Sequence, residues 1–158
     1  MSQNSNRLEE LIKEHQNALY RAALSVTGNP QDAEDAVQDG YLKYLERRPR
    51  VPDGRSARAW LMRVTLNAAL DRLRDKKRHP TEELLDVHPA PDPGTGELLE
   101  AIGELPPAER AAVQLFYYEG YQTGEIAKIL GRRPGTVRSD LSRARERLRE
   151  KLKGEIEL

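Results

Sequence analysis

Apolar residues near the start of the chain return every three or four positions. Leu8, Leu11, Ile12, Leu19, Ala22, Ala23 and Val26 share one helical face. Asn6 and Glu9 have the spacing of a capping box, which predicts a first helix of roughly 20 residues. "TGNP" ends it, and Asn29 with Pro30 suits the N-cap and first position of a second helix reaching about Arg47. After "RRPRVPDGR", Ser56 is the expected cap of a third helix running to about Arg78. That helix carries two apolar stripes, Ala57, Leu61, Val64, Ala68 and Met62, Leu66, Leu70, Leu73, so it packs on two sides. Its remaining face is polar: Arg63, Asn67, Asp71, Arg74 and Arg78.

The C-terminal third, "LPPAERAAVQLFYYEGYQTGEIAKILGRRPGTVRSDLSRARERLREKL", predicts a helix from Pro107 to Glu119 stopped by Gly120. A short helix capped by Thr123 reaches Leu130, Gly131 turns the chain, and a long helix starts near Pro134. Ile126, Ala127, Ile129, Leu130, Val137 and Leu141 would form a shared core. Two helices joined by a glycine turn, the second one basic, follow the helix-turn-helix plan. Between the halves, "HPTEELLDVHPAPDPGTGE" is rich in Pro, Gly and acids and reads as a linker. The expected fold is all-α: two small helical domains, 1–78 and 98–158, joined by a flexible acidic linker over 79–97.

Composition changes this picture only by exclusion. A chain of 158 residues, 37% apolar, holds one ordinary domain or two small ones, not a large enzyme. Cysteine is absent, which removes disulfides, thiolate nucleophiles and Cys-based zinc sites and fits a reducing cytoplasm. No stretch approaches the roughly 20 apolar residues of a membrane span, so no membrane insertion is expected and the protein reads as soluble and unexported.

Charge changes it more. The chain is formally neutral, but residues 1–78 carry 15 Lys and Arg against 11 Asp and Glu, residues 79–105 no base against seven acids, and residues 106–158 11 against eight. Two basic lobes flank an acidic connector, a pattern the sum conceals. The turn and last helix together are strongly basic, with nine bases and three acids over residues 132–153. The apolar positions of the helix, Val137, Leu141, Ala144, Leu148 and Leu152, leave Arg138, Ser139, Ser142, Arg143 and Arg145 outward. Arg can grip guanine O6 and N7 or a phosphate, and Ser can serve either, so DNA is the expected partner.

On the third helix Asn67 could bond an adenine edge or an unpaired base, against the blander reading of a solvated stripe. The second helix begins with Asp32, Glu34, Asp35 and Asp39 and no base among them, more acid than a helix N-terminus requires. A metal-dependent hydrolase built on that cluster is the weaker alternative, because His15, His79 and His88 are scattered and no second carboxylate motif appears. No metal and no cofactor is expected. A DNA-binding regulator, for which one helix-turn-helix would suffice, is the other alternative, and it leaves the first lobe without a purpose.

"DAEDAVQDGYLKYL", "ARAWLMRVTLNAALDRLRDKKR" and the helix-turn-helix stretch, in this order, resemble an extracytoplasmic-function sigma factor over nearly the whole chain outside the linker. The resemblance implies sigma-2 and sigma-4 domains, no enzyme activity, a cytoplasmic setting, and binding of RNA polymerase core and promoter DNA. It also admits an anti-sigma factor as a partner. It implies that Asp32, Glu34, Asp35, Gln38 and Asp39 dock on the beta-prime clamp helices. Asn67 would read the −10 element, with Arg63, Asp71 and Arg74 nearby and an extruded base held by the loop from Arg48 to Arg55. Trp60 stands where the family has an aromatic beside the melting site, with plain core packing as the competing reading. Arg138, Ser139, Ser142 and Arg143 match the −35 contacts, with Arg145 on the same outward face, and the apolar surface of sigma-4 would meet the beta flap. The acidic linker would imitate RNA in the exit channel. Gly40, Gly124, the two Arg of "GRRPGTV" and Asp140, where the family often has Arg, depart from the pattern. Gly40 would cost roughly 1 kcal/mol of helix propensity against Ala. Asp140, read as outward, would repel phosphates and brake non-specific binding, with pairing to Arg143 contributing; acceptance from a cytosine amino group is the alternative.

Overall fold

The computed structural model describes residues 2–78 and 96–152, with side chains over 6–76 and 96–152. All regular elements among the described residues are helical. The chain divides into two compact units, Met1–Leu85 and Asp86–Leu158. The stretch expected as an acidic linker falls, apart from its last two residues, outside the described residues.

In the first unit α1 (Ser2–Thr27), α2 (Pro30–Arg47) and α3 (Gly54–Arg78) each pack on the other two. Leu19, Val26, Leu61, Met62 and Leu66 are fully buried at the centre, each contributing about 1.5–3 kcal/mol of hydrophobic burial. Both stripes of α3 point inward: Ala57, Leu61, Val64 and Ala68 on one, Met62 and Leu66 on the other, with Leu70 and Leu73 half-buried. Asn29 caps α2 as expected, its side chain accepting from the Asp32 N–H at 3.0 Å with Pro30 next in the chain. The helix ends at Arg48, which takes the left-handed conformation (φ 47°) and donates its N–H to the Tyr44 carbonyl.

Two helix starts in this unit differ from expectation. α1 begins at Ser2, so Asn6 lies within the helix and caps nothing, since "SQNS" contains no Pro or Gly to stop the helix extending backward. α3 begins at Gly54, and its cap is Asp53, whose carboxylate accepts the Ser56 N–H at 2.7 Å. A carboxylate is favoured over a hydroxyl there by the positive end of the helix. That N–H, the largest cause, also holds the Asp53 carboxyl below its ordinary range.

Gly40 is buried where α2 meets α3. A Cβ there would stand 2.6 Å from Thr65 Oγ1, too close for any real side chain without a shift. The glycine expected as a propensity cost is what lets the two helices come this near.

The second unit contains α4 (Gly96–Gly103), α5 (Pro107–Val113), α6 (Thr123–Leu130) and α7 (Pro134–Lys151), with α4, α5 and α6 all packed against α7. α4 was not anticipated, because its eight residues follow a Pro- and acid-rich stretch that reads as linker. The helix expected over Pro107–Glu119 is continuous, but its last turn, Gln114–Tyr118, widens into a π turn closed by the Glu119 N–H on the Gln114 carbonyl at 3.0 Å. Gly120 then reverses the chain at φ 77°. The cap of α6 is Gln122 rather than Thr123, which is the first helical residue. Glu125, three residues past Gln122, accepts the Gln122 N–H at 3.2 Å, and Thr123 is one position too late for that reciprocal geometry. Gly131 closes α6 at φ 65°, where the Arg132 N–H reaches the Ala127 carbonyl. Inside the unit, buried Glu109 accepts from Arg147 at 3.0 Å and ties α5 to α7.

Candidate nucleic-acid interface

α7 buries Val137, Leu141, Ala144, Leu148 and Leu152 against the rest of its unit. Pro134 starts the helix directly after the Gly131 turn, which fixes where the first outward residues stand. Arg138, Ser139, Ser142, Arg143 and Arg145 are all exposed. They are not alike. Arg138, Ser139 and Ser142 present the open face of the helix. Arg145 turns aside toward the π turn, its Nε donating to the Tyr117 hydroxyl at 2.6 Å and its guanidinium lying 5.7–5.8 Å from the Tyr117 and Phe116 ring centres. A cation over aromatic faces is held there by the ring quadrupoles.

Asp140 corrects the sequence expectation. It is not on the outward side: its side chain is 5% exposed, and each carboxylate oxygen is engaged by a different arginine. Oδ2 accepts from Arg132 in the turn at 2.8 Å, and Oδ1 from Arg143 at 2.8 Å. A carboxylate so enclosed neither repels phosphates as a bare charge nor accepts from a cytosine amino group. The Arg143 partnership was anticipated; the Arg132 one was not, since it joins a turn residue to a helix residue eight positions on.

In the first unit Arg63, Asn67, Asp71 and Arg74 are exposed along one polar face of α3. Asp71 and Arg74 pair at 3.1 Å across one turn, and Asn67 is open. The Arg78 side chain lies outside the described residues. Trp60 is half-buried and packs edge-to-face on Tyr44, with ring centres 5.9 Å apart, so part of the ring serves the core and part remains available. The loop before α3 spans residues 48–53 rather than reaching Arg55, and Arg7 of α1 anchors it by donating to the Val51 carbonyl at 2.6 Å.

A model of sigma-70 region 2 matches residues 11–79, and one of sigma-70 region 4 matches residues 95–148. The chain is 37% identical over 146 residues to the ECF RNA polymerase sigma factor SigM of Mycobacterium tuberculosis, covering 89% of this chain and 74% of that one. It is 35% identical over 150 residues to the RNA polymerase sigma-E factor of Streptomyces coelicolor, covering 91% and 85%. The chain belongs to the extracytoplasmic-function sigma factors. Solved structures similar to this sigma factor include RpoE bound to the anti-sigma factor NepR, from Bartonella quintana (TM-score 0.71, 25% identity, covering 94% of this chain and 98% of that one). Another is CnrH in complex with the cytosolic domain of CnrY (TM-score 0.68, 26% identity, covering 98% and 93%).

The acidic helix of this sigma factor is less free than its sequence suggests. Asp39 accepts from Arg72 of α3 at 2.9 Å, Asp35 lies 3.7 Å from the same guanidinium and 3.0 Å from Gln31, and Asp32 pairs with Lys76. The three carboxylates line the seam with α3, where bases from α3 oppose them. Glu34 and Gln38 are exposed, and they continue into Leu42 (60% exposed) and Leu45 (42%) as one stripe along α2. Leu42 and Leu45 were missed as candidates; their signal is that they lie off the face defined by Ala33, Ala36, Val37, Tyr41 and Tyr44, all buried. Among the described residues no cluster of His, Asp or Glu is placed to hold a metal ion, and no helix is long and apolar enough to cross a membrane.

Proposed function

We propose that this sigma factor carries RNA polymerase core to its promoters by dividing the work among three helices. As a member of its family it is a transcription initiation factor, acting with polymerase in promoter-directed initiation. The residue assignments rest on exposure and chemistry. The Glu34, Gln38, Leu42 and Leu45 stripe docks on the beta-prime clamp helices, with Asp35 and Asp39 at its edge. Asn67, flanked by Arg63, Asp71 and Arg74, reads the −10 element as it opens, beside Trp60 and the 48–53 loop. Arg138, Ser139, Ser142 and Arg143 meet the −35 element, and Arg145 reaches a flanking phosphate. Tyr117 and Tyr118, exposed on the π turn, form the aromatic edge offered to the beta flap. An anti-sigma factor is a further expected partner, by analogy with the RpoE complex, and the setting is the cytoplasm, where polymerase works.

One observation favours a polymerase-bound factor over a free-standing DNA-binding regulator. Among its described residues the first unit leaves two large leucines open on α2, Leu42 and Leu45, and exposed apolar side chains beside polar ones suit a protein partner. The test is transcription by core polymerase plus this protein on a promoter library. Transcripts should come from promoters sharing two short elements. Asn67→Ala should lose about 1–3 kcal/mol of discrimination at one −10 position while duplex binding barely changes. Duplex binding without association with core would instead establish the regulator reading.

A further inference from the structure

We infer that Asp140 is a positioning residue for promoter readout: one buried carboxylate holds Arg132 and Arg143 in a fixed pair, and so sets which −35 base α7 accepts. The inference rests on the reading of α7 as the −35 helix. The two arginines come from different places, Arg132 from the turn after α6 and Arg143 from the third turn of α7. Both arginine side chains remain solvent-accessible, 39% and 57% exposed, while the Asp140 side chain between them is 5% exposed. Left alone, two cations so close would repel and each would sample many rotamers. The shared carboxylate offsets the repulsion and, at 2.8 Å to each, restricts both side chains.

Position follows from the helix period. Asp140 lies between the inward face of Val137, Leu141 and Ala144 and the outward face of Ser139 and Arg143, so it can be buried and still reach a surface cation. Arg143 commits one N–H of Nη2 to Asp140 and keeps its other donors for DNA. A planar fork braced from behind suits the bidentate guanine edge, whereas a mobile one settles on phosphate. An arginine at 140 would place a third cation in this pocket and release both side chains. This sigma factor therefore reads its −35 element through an arginine pair that an arginine at 140 would abolish.

The experiment uses the full-length protein with core polymerase on templates randomised through the −35 region, together with duplex binding as a function of salt. Asp140→Asn keeps the volume and removes the charge. It should flatten the base preference at the positions read by Arg132 and Arg143 by about fivefold or more. Affinity for unrelated duplex should hold or rise, with log K steepening against log salt by roughly one for each released guanidinium that finds a phosphate. Unchanged base preference in this variant, with Arg143→Ala losing it, overturns the inference and leaves the −35 assignment standing. Unchanged preference in Arg143→Ala overturns both. Should Asp140→Asn fail to fold, Arg132→Gln and Arg143→Gln, both at exposed positions, measure the same coupling. Their effects on discrimination should be non-additive because they share one carboxylate, and additive effects overturn the inference.

Discussion

Carboxylates meet arginine at the α2–α3 seam of the first unit and again at Asp140 in the second, and the same pairing does opposite work in the two places. At the seam the acids stay partly wet, with Asp35 and Asp39 side chains 41% and 40% exposed, and Arg72 belongs to the opposing helix. Their attraction joins two helices, and water screens it, so each pair is worth about 0–1 kcal/mol. At Asp140 the acid is buried, and the cations it holds point out of the unit. Stability gains little from such an arrangement, since burying the charge costs about what the pairing returns. Its product is orientation. A carboxylate beside an arginine is therefore scaffold or reading surface according to which partner is buried and whether the cation faces another helix or the solvent.

The largest expected effect separates seam from surface on α2. Leu42→Asp with Leu45→Asp should reduce core polymerase affinity by about 2–4 kcal/mol, the scale of interface hot spots, and leave the thermal unfolding of the free protein nearly unchanged. Asp35→Arg with Asp39→Arg should act in the other order, lowering the melting temperature because two new cations would face Arg72. Adding Arg72→Asp should recover it. If the charge reversals abolish core binding at unchanged stability while the leucine variants bind normally, the acids are the docking surface and the comparison between the units fails.

A smaller effect tests how tightly the seam is built. Gly40→Ala places a Cβ 2.6 Å from Thr65 Oγ1 and should destabilise the first unit by about 1–3 kcal/mol, despite the better helix propensity of Ala. Thr65→Ala removes that oxygen, which is buried and has no hydrogen-bond partner. The double variant should then regain most of the loss, and denaturant titration of the four proteins measures it. Equal destabilisation with and without Thr65 would place the strain elsewhere.

These contrasts also mark how far the chain could be read before folding. Periodicity placed the inward faces of α3 and α7, because burial is proportional to apolar area and a helix repeats it at fixed spacing. Caps went astray at Asn6, Ser56 and Thr123, where a nearby residue or a longer helix takes the role. Such choices depend on which oxygen reaches which N–H, a matter of a single residue. The acids of α2 looked unpartnered because Arg72 and Lys76 lie more than 30 positions away. Asp140 looked outward because it sits on the boundary between faces, where the period alone does not decide. Long-range pairing is the part of the electrostatics that one-dimensional charge counting omits.

His15 gives the smallest effect and extends the comparison to an ionisable group that no cation clamp serves. It is buried in α1, and its Nε2 makes no hydrogen bond although the Glu14 carboxylate lies 3.5 Å away. Burial, the dominant cause, lowers its pKa below 6.5; Glu14 raises it and Arg58 lowers it further. The unfolded chain therefore takes up a proton at this position before the folded one does. Above pH 6.5 the imidazole is neutral in both states and no penalty exists; as pH falls from 6.5 through the lower folded value, the penalty grows and then levels off. The first unit should lose stability over that window. His15→Gln, which cannot titrate, should flatten this part of the melting-temperature profile relative to the native chain. If both proteins show the same slope there, His15 is not the group responsible, and its burial carries no electrostatic cost that the surrounding helices fail to offset.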